Sequence, residues 1–146
     1  MHEKSMSYWD IAQCKKIAHL FKTAVERHQA DICSFTYTFL KSEVAVQLID
    51  FNEALISQGD LYILSFLPME DVLKKERESS DVAEWMGYLI GYWCLKEDGK
   101  PELLAAKYDW KEVYYSYETL HTQSCSYAIE FVMENYMLAG EGHEML

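Results

Sequence analysis

Ser79 to Leu95, SSDVAEWMGYLIGYWCL, is the stretch whose reading decides the fold. Apolar and aromatic residues recur in it at i, i+3, i+4, i+7 and i+8 as Trp85, Tyr88, Leu89, Tyr92 and Trp93, which predicts one helix with a heavy apolar stripe. Asp81, with Glu84 three residues on, is the expected N-cap. Gly87 and Gly91 lie one turn apart on a neighbouring face. A glycine costs about 1 kcal/mol against alanine in a helix interior, so two of them predict a close approach by another backbone.

Working outward toward the N-terminus, helical periodicity continues. Pro68 suits the first turn of a helix, with Glu70 and Asp71 at its positive end, and the charged run Lys74 to Asp81 reads as an exposed connection. Leu61 to Leu67 is a short buried run whose length does not decide between strand and helix. Asp31 to Leu55 contains no Gly or Pro and predicts one bent helix or two short ones, with a restart at Ser42 burying Val44, Leu48, Phe51 and Leu55. Gly59 is expected to cap its C-terminal end. Phe35 to Phe39 alternates like a strand, yet Ile32, Phe35, Phe39 and Leu40 fit a helix. Helix is preferred because no second strand with turn chemistry lies nearby. Ser7 and Asp10 form an expected capping box for a first helix that runs to about His28 on Tyr8, Ile11, Cys14, Ala18, Phe21 and Val25.

Toward the C-terminus, Gly99 marks a turn and Pro101 starts a short helix through Leu103, Leu104 and Tyr108. Asp109 with Glu112 opens another, in which Trp110, Val113, Tyr114, Tyr117 and Leu120 form the stripe and Tyr115 points elsewhere. Thr122, Ser124 and Ser126 read as a break, and Ser124 or Ser126 caps a last helix carrying Tyr127, Ile129, Phe131, Val132 and Tyr136. The expectation is an all-α, compact single-domain bundle of about six or seven helices over residues 1–146, with 1–6 and 140–146 loose.

Composition narrows the function classes. The chain has 146 residues, half of them hydrophobic, which is enough to bury a core without disulfides or metal. Its net charge of −11 works against binding a phosphate backbone. The charge is also uneven: Lys15, Lys16, Lys22 and Arg27 make the first helix mildly basic, whereas no Lys or Arg follows Glu112. Cys14, Cys33, Cys94 and Cys125 are scattered and form no C-x-x-C pair, so the sequence predicts buried free thiols, no metal site and no cofactor. With no secretory signal and no apolar run long enough to span a bilayer, a soluble cytoplasmic protein is expected.

No phosphate-binding loop, nucleophile elbow or H-E-x-x-H motif occurs. One catalytic constellation has to be weighed. Glu118, His121 and Cys125 would share a stripe if one helix ran through Thr122, and a thiol, an imidazole and a carboxylate can make a Cys nucleophile. The serine-rich break argues against that spacing, and no catalytic residue is assigned. His19 and His28 read as surface or packing histidines. The tyrosines, Tyr88, Tyr92, Tyr114, Tyr115, Tyr117 and Tyr127, together favour a binding face.

The order S-x-D-x-x-E-W-x-G-Y and G-Y-W (Ser79 to Trp93), then Y-x-x-L-H-T (Tyr117 to Thr122) leading into A-I-E (Ala128 to Glu130), with F-L-K-S upstream (Phe39 to Ser42), resembles a group of small helical bacterial proteins. Their genes tend to lie beside ADP-ribosyltransferase-fold toxins. The resemblance implies an antitoxin or immunity role, a toxin of that fold as protein partner, and Tyr88, Tyr92 and His121 as motif positions. This chain departs from the pattern at Gly91, where a basic residue is usual, and at Lys100 to Glu102, where a serine-rich start is usual. Combined with the acidic C-terminal third, the expectation is a non-catalytic module in which Glu112, Glu118, Glu130 and Glu134 pair with basic groups of the partner and tyrosines anchor it. Two alternatives remain open: a small enzyme using Cys125 and His121, and a regulatory protein binding nucleic acid through the basic first helix.

Overall fold

The computed structural model describes residues 6–74 and 78–138. Among these residues it is all-helical, with ten α-helices, one 3-10 turn and two isolated β-bridges. The elements are α1 (Tyr8–His28), α2 (Ile32–Leu40), α3 (Glu43–Ile49), α4 (Glu53–Ile56), α5 (Asp60–Leu64), the 3-10 turn Met69–Val72, α6 (Ser80–Lys96), α7 (Pro101–Lys107), α8 (Trp110–Tyr115), α9 (Tyr117–Leu120) and α10 (Cys125–Asn135).

Helices α1 and α6 make the most extensive contact in the molecule, and the rest is arranged around that pair. The glycines explain why. A Cβ at Gly87 would lie 2.8 Å from Ala18 Cα and 2.8 Å from the Ile17 carbonyl oxygen; one at Gly91 would lie 3.0 Å from Cys14 Cα. The glycine face is therefore the buried face of α6, together with Ala83, Met86, Leu89, Ile90, Trp93 and Cys94. This corrects the expected stripe. Trp85, Tyr88 and Tyr92 sit half-buried at its margin, because the face without side chains allows the closest approach and takes the centre. The N-cap is also corrected, from Asp81 to Ser79, whose hydroxyl accepts from the Val82 N–H; Asp81 lies in the first turn.

The first helix begins as expected, with the reciprocal capping box of Ser7 and Asp10. Tyr8, however, is exposed. Phe35 to Phe39 is helical. Phe21 of α1 meets Phe35 at 4.9 Å and Phe39 at 5.2 Å, both edge to face, and Ile32 and Leu40 are buried beside them. Leu61 to Leu64 falls in α5.

The helix count exceeds six or seven because tertiary contacts break helices that the sequence leaves continuous. The Asp31–Leu55 stretch becomes three pieces. Phe51 adopts a left-handed backbone (φ 59°) after α3, and Asn52 then caps α4 with its side chain. That turn leaves Phe51 exposed rather than in the core. Gly59 stands at the start of α5 in an extended conformation, not at a helix end. Ser116 separates α8 from α9 and bonds the Tyr136 hydroxyl through its own. Pro68 precedes a single 3-10 turn instead of an α-helix. Leu103 and Tyr127 are exposed although their positions suggested burial. The loose ends expected at 1–6 and 140–146 fall outside the described residues except for Met6.

The connection before α6 is fastened at its edges; 75–77, within the expected exposed run, lie outside the described residues. The Glu78 side chain is only 5% exposed. It accepts from the Ile32 N–H at 2.8 Å, satisfying one of the orphan donors at the start of α2, and pairs with Lys74. Lys74 also reaches Asp31, the N-cap of α2, at 3.5 Å. Glu78→Ala is expected to cost about 2 kcal/mol, since it leaves the Ile32 N–H without its acceptor and Lys74 with Asp31 as its remaining carboxylate, and Glu78→Gln about half of that. Urea unfolding midpoints check this; equal midpoints for Ala and wild type would refute the clamp.

Candidate partner-binding face

The residues expected to bind a partner are spread over α6, α8, α9 with its C-terminal cap, and α10. Tyr88 and Tyr92 lie half-buried on α6, one turn apart, on the margin that the glycine-centred packing leaves facing outward. The Tyr92 hydroxyl bonds Ser126 Oγ on α10 at 3.0 Å, and the Lys96 ammonium sits 5.5 Å from the Tyr92 ring centre. Tyr92 is thereby committed to holding α10 against α6.

Tyr88 borders a groove with a cavity volume of 540 Å³. Its walls are Lys15, Ala18 and His19 of α1, Asp81, Glu84, Trp85 and Tyr88 of α6, and Tyr117 of α9. Trp85 and Tyr117 meet edge to face at 5.6 Å, and the His121 ring stacks on Tyr117 at 4.2 Å. His121 Nδ1 also lies 2.6 Å from the Tyr117 carbonyl oxygen, so the imidazole caps the last turn of α9 while bracing the groove wall. On the α1 side, Nδ1 of His19 is bonded to Asp60, which also accepts from Thr23 Oγ1 at 2.9 Å. This ties α5 to α1 and fixes the His19 ring at the rim.

The electrostatics of the groove are read in its phenols. Burial raises the Tyr117 pKa above its ordinary value, and the negative charges of Asp81, Glu118 and Glu84 raise it further. The Tyr88 phenol is likewise raised, first by burial. Carboxylates thus gather around an aromatic corner. Neither Asp81 nor Glu84 forms an ion pair with a described residue.

Glu112 on α8, Glu118 on α9 and Glu130 and Glu134 on α10 are all exposed, and none pairs with a described cation. Glu118 follows Tyr117 on α9 and its charge acts on that phenol, but it does not line the groove. Glu112, Glu130 and Glu134 stand apart from it; the last two lie one turn apart on α10 beside the exposed Tyr127 and Met133. Sequence reasoning missed Lys15, His19, Asp81, Glu84 and Trp85 as neighbours of Tyr88. Helical spacing on α6 joins Asp81, Glu84 and Trp85 to Tyr88, but no linear signal joins them to Lys15 and His19 or to Tyr117, because the groove is assembled from residues up to about a hundred positions apart.

The cysteine constellation takes a different form from a continuous stripe. Helix α9 stops at Leu120 and α10 starts at Cys125, with Ser124 as its cap. Burial pushes the Cys125 thiol up to about 11, and His121 is engaged with Tyr117. That is the environment of an inert thiol rather than of a thiolate nucleophile. Among the described residues no group of three or more His, Cys, Asp or Glu is arranged to hold a metal ion, and no helix is long and apolar enough to cross a membrane.

No protein-family model matches this sequence, and no curated protein or solved structure is significantly similar to it.

Proposed function

We propose that this chain is a non-catalytic protein-binding module that neutralises a toxin by covering its site, with an ADP-ribosyltransferase-fold toxin as the partner that the sequence resemblance suggests. The observation that carries the reading is the juxtaposition of half-exposed aromatic rings with carboxylates that have no cationic partner among the described residues. Asp81, Glu118 and Glu84 lie close enough to Tyr117, at the Trp85–Tyr88 groove, to raise its phenol, and Glu130 and Glu134 form a separate acidic pair beside Tyr127. Aromatic rings supply contact area at low entropic cost, while unpaired carboxylates steer a basic partner and fix its register. With no Lys or Arg after Glu112, α9 and α10 carry no Lys or Arg of their own.

The test is genetic first and kinetic second. The open reading frame adjacent to this gene is expressed alone and together with this chain, and growth and co-elution are followed. Rescue of growth with co-elution is the expected outcome; a harmless neighbour that does not co-elute refutes the toxin reading. With a partner in hand, Glu130→Lys combined with Glu134→Lys is expected to slow association about tenfold at low salt and to flatten its salt dependence. Unchanged association rates would remove the electrostatic part of the proposal.

A further inference from the structure

We infer that the groove between α1 and α6 receives an arginine side chain of the partner protein, its guanidinium lying against the Trp85 and Tyr117 rings and between the carboxylates of Asp81 and Glu84. This deepens the protein-binding reading and rests on it. The groove has a volume of 540 Å³ and is broadly open to solvent, and three of its eight lining residues are aromatic. The edge-to-face packing of Trp85 on Tyr117, with an interplanar angle of 74°, makes a corner in which a flat cation can contact both rings. His121, stacked on Tyr117 at 12° and bonded to the same helix turn, holds that corner in place without a ligand.

Charge selects the occupant. Asp81 and Glu84 stand three residues apart on one face of α6, close enough to Tyr117 to raise its phenol, and have no cationic partner among the described residues. A neutral apolar side chain would fill the aromatic corner but leave both carboxylates unanswered. A lysine ammonium answers the charge without the planar face that stacks on rings, whereas a guanidinium does both and offers paired donors to carboxylates. On the opposite wall the ammonium of Lys15 is exposed, and His19 is held at the rim by the Asp60 carboxylate. That wall suits the backbone carbonyls or a carboxylate flanking the arginine, so the two walls together set the direction from which the side chain enters.

The probe is N-acetyl-arginine amide, compared with the citrulline isostere, which keeps the shape and loses the charge, and with N-acetyl-lysine amide. Amide and indole N–H resonances of the full chain are followed by NMR through each titration. Arginine is expected to give saturable shifts in the millimolar range at the Trp85 indole and along 81–88, with citrulline at least tenfold weaker and lysine several-fold weaker. Asp81→Asn combined with Glu84→Gln is expected to weaken arginine at least fivefold while leaving the chain folded, with a thermal midpoint lowered only by the small first-turn contribution of Asp81. The inference is overturned if citrulline or lysine binds as well as arginine, if shifts map elsewhere, or if none saturates. Failure of the broader reading is distinguishable. A groove that ignores arginine in a chain that still co-elutes with its partner overturns this inference alone. Saturable arginine binding in a chain that captures no partner overturns the module reading and leaves the groove as an arginine site.

Discussion

Replacing Gly87 with valine is expected to destabilise the protein by about 4 kcal/mol, with alanine at the same position costing about 2 kcal/mol and Gly91→Ala about 1 kcal/mol. In an isolated helix the order would be reversed for alanine, since Gly→Ala gains about 1 kcal/mol of helix propensity. The fold overrides that gain because the new methyl meets backbone. At Gly87 it would sit 2.8 Å from both Ala18 Cα and the Ile17 carbonyl oxygen, and no rotamer change can move those atoms. At Gly91 the nearest atom, Cys14 Cα, is at 3.0 Å, and the next two belong to the Cys14 side chain. Relief therefore requires α1 to shift off α6 as a whole, opening the densest part of the core around Ile17, Phe21, Met86 and Ile90. Urea midpoints of the three variants check the ranking. A Gly87→Ala protein as stable as wild type would show that the two backbones do not approach this closely.

The second large effect is expected in alkali. Burial pushes the Cys14 thiol, helped by the nearby Cys125 and Asp10, and the Cys94 thiol from their ordinary value of 9.0 up to about 12; Cys33 and Cys125 rise to about 11. Above pH 9 the unfolded chain releases these protons and the folded one does not, so the unfolded state gains. The stability is fully present below pH 9 and is lost progressively as pH rises toward 12. Each buried thiol contributes a slope of about 1.4 kcal/mol per pH unit, so Cys14 and Cys94 alone remove about 5 kcal/mol between pH 9 and 11. That is comparable with the whole stability of a small domain, about 5–15 kcal/mol. The Tyr37, Tyr88, Tyr108, Tyr114 and Tyr117 phenols, all raised first by burial, add to the loss above pH 10. Under reducing conditions, unfolding free energies measured in urea at several pH values should fall steeply over this range, and Cys14→Ala should flatten the slope by about one thiol's share. An unaltered slope in that variant would mean that the Cys14 thiol already titrates at its ordinary value in the folded protein.

The acid side behaves oppositely. Burial works to raise the Asp31 carboxyl, but its hydrogen bonds from Ser34 and the charge of Lys74 outweigh this and hold it below its ordinary value. Its contribution is therefore present above the unfolded carboxyl range and lost as pH falls through the lower folded value.

What the residues determined by themselves is local. The Ser7–Asp10 box, the restart at Ser42, Pro101 at the head of α7 and the caps at Asp109 and Ser124 are short-range hydrogen-bonding and dihedral preferences, and each stands where the sequence places it. The paired glycines likewise announced a close approach, because an unfavourable helix residue repeated at one-turn spacing needs a packing reason. What the sequence left open depends on which surfaces meet. Phe51 takes a left-handed backbone, and Ser116 breaks a periodic stripe by bonding Tyr136, twenty residues on. The outward rotation of Trp85, Tyr88 and Tyr92 follows from the choice of the glycine face as the core face. That choice is a property of the α1–α6 pair, not of either helix. The groove is its direct result: once Gly87 and Gly91 bring α1 against α6, Trp85 and Tyr88, excluded from the contact, line its edge, and Asp81 and Glu84 of α6 are placed across the same groove from Lys15 and His19 of α1, a pairing that no spacing in the chain could have joined.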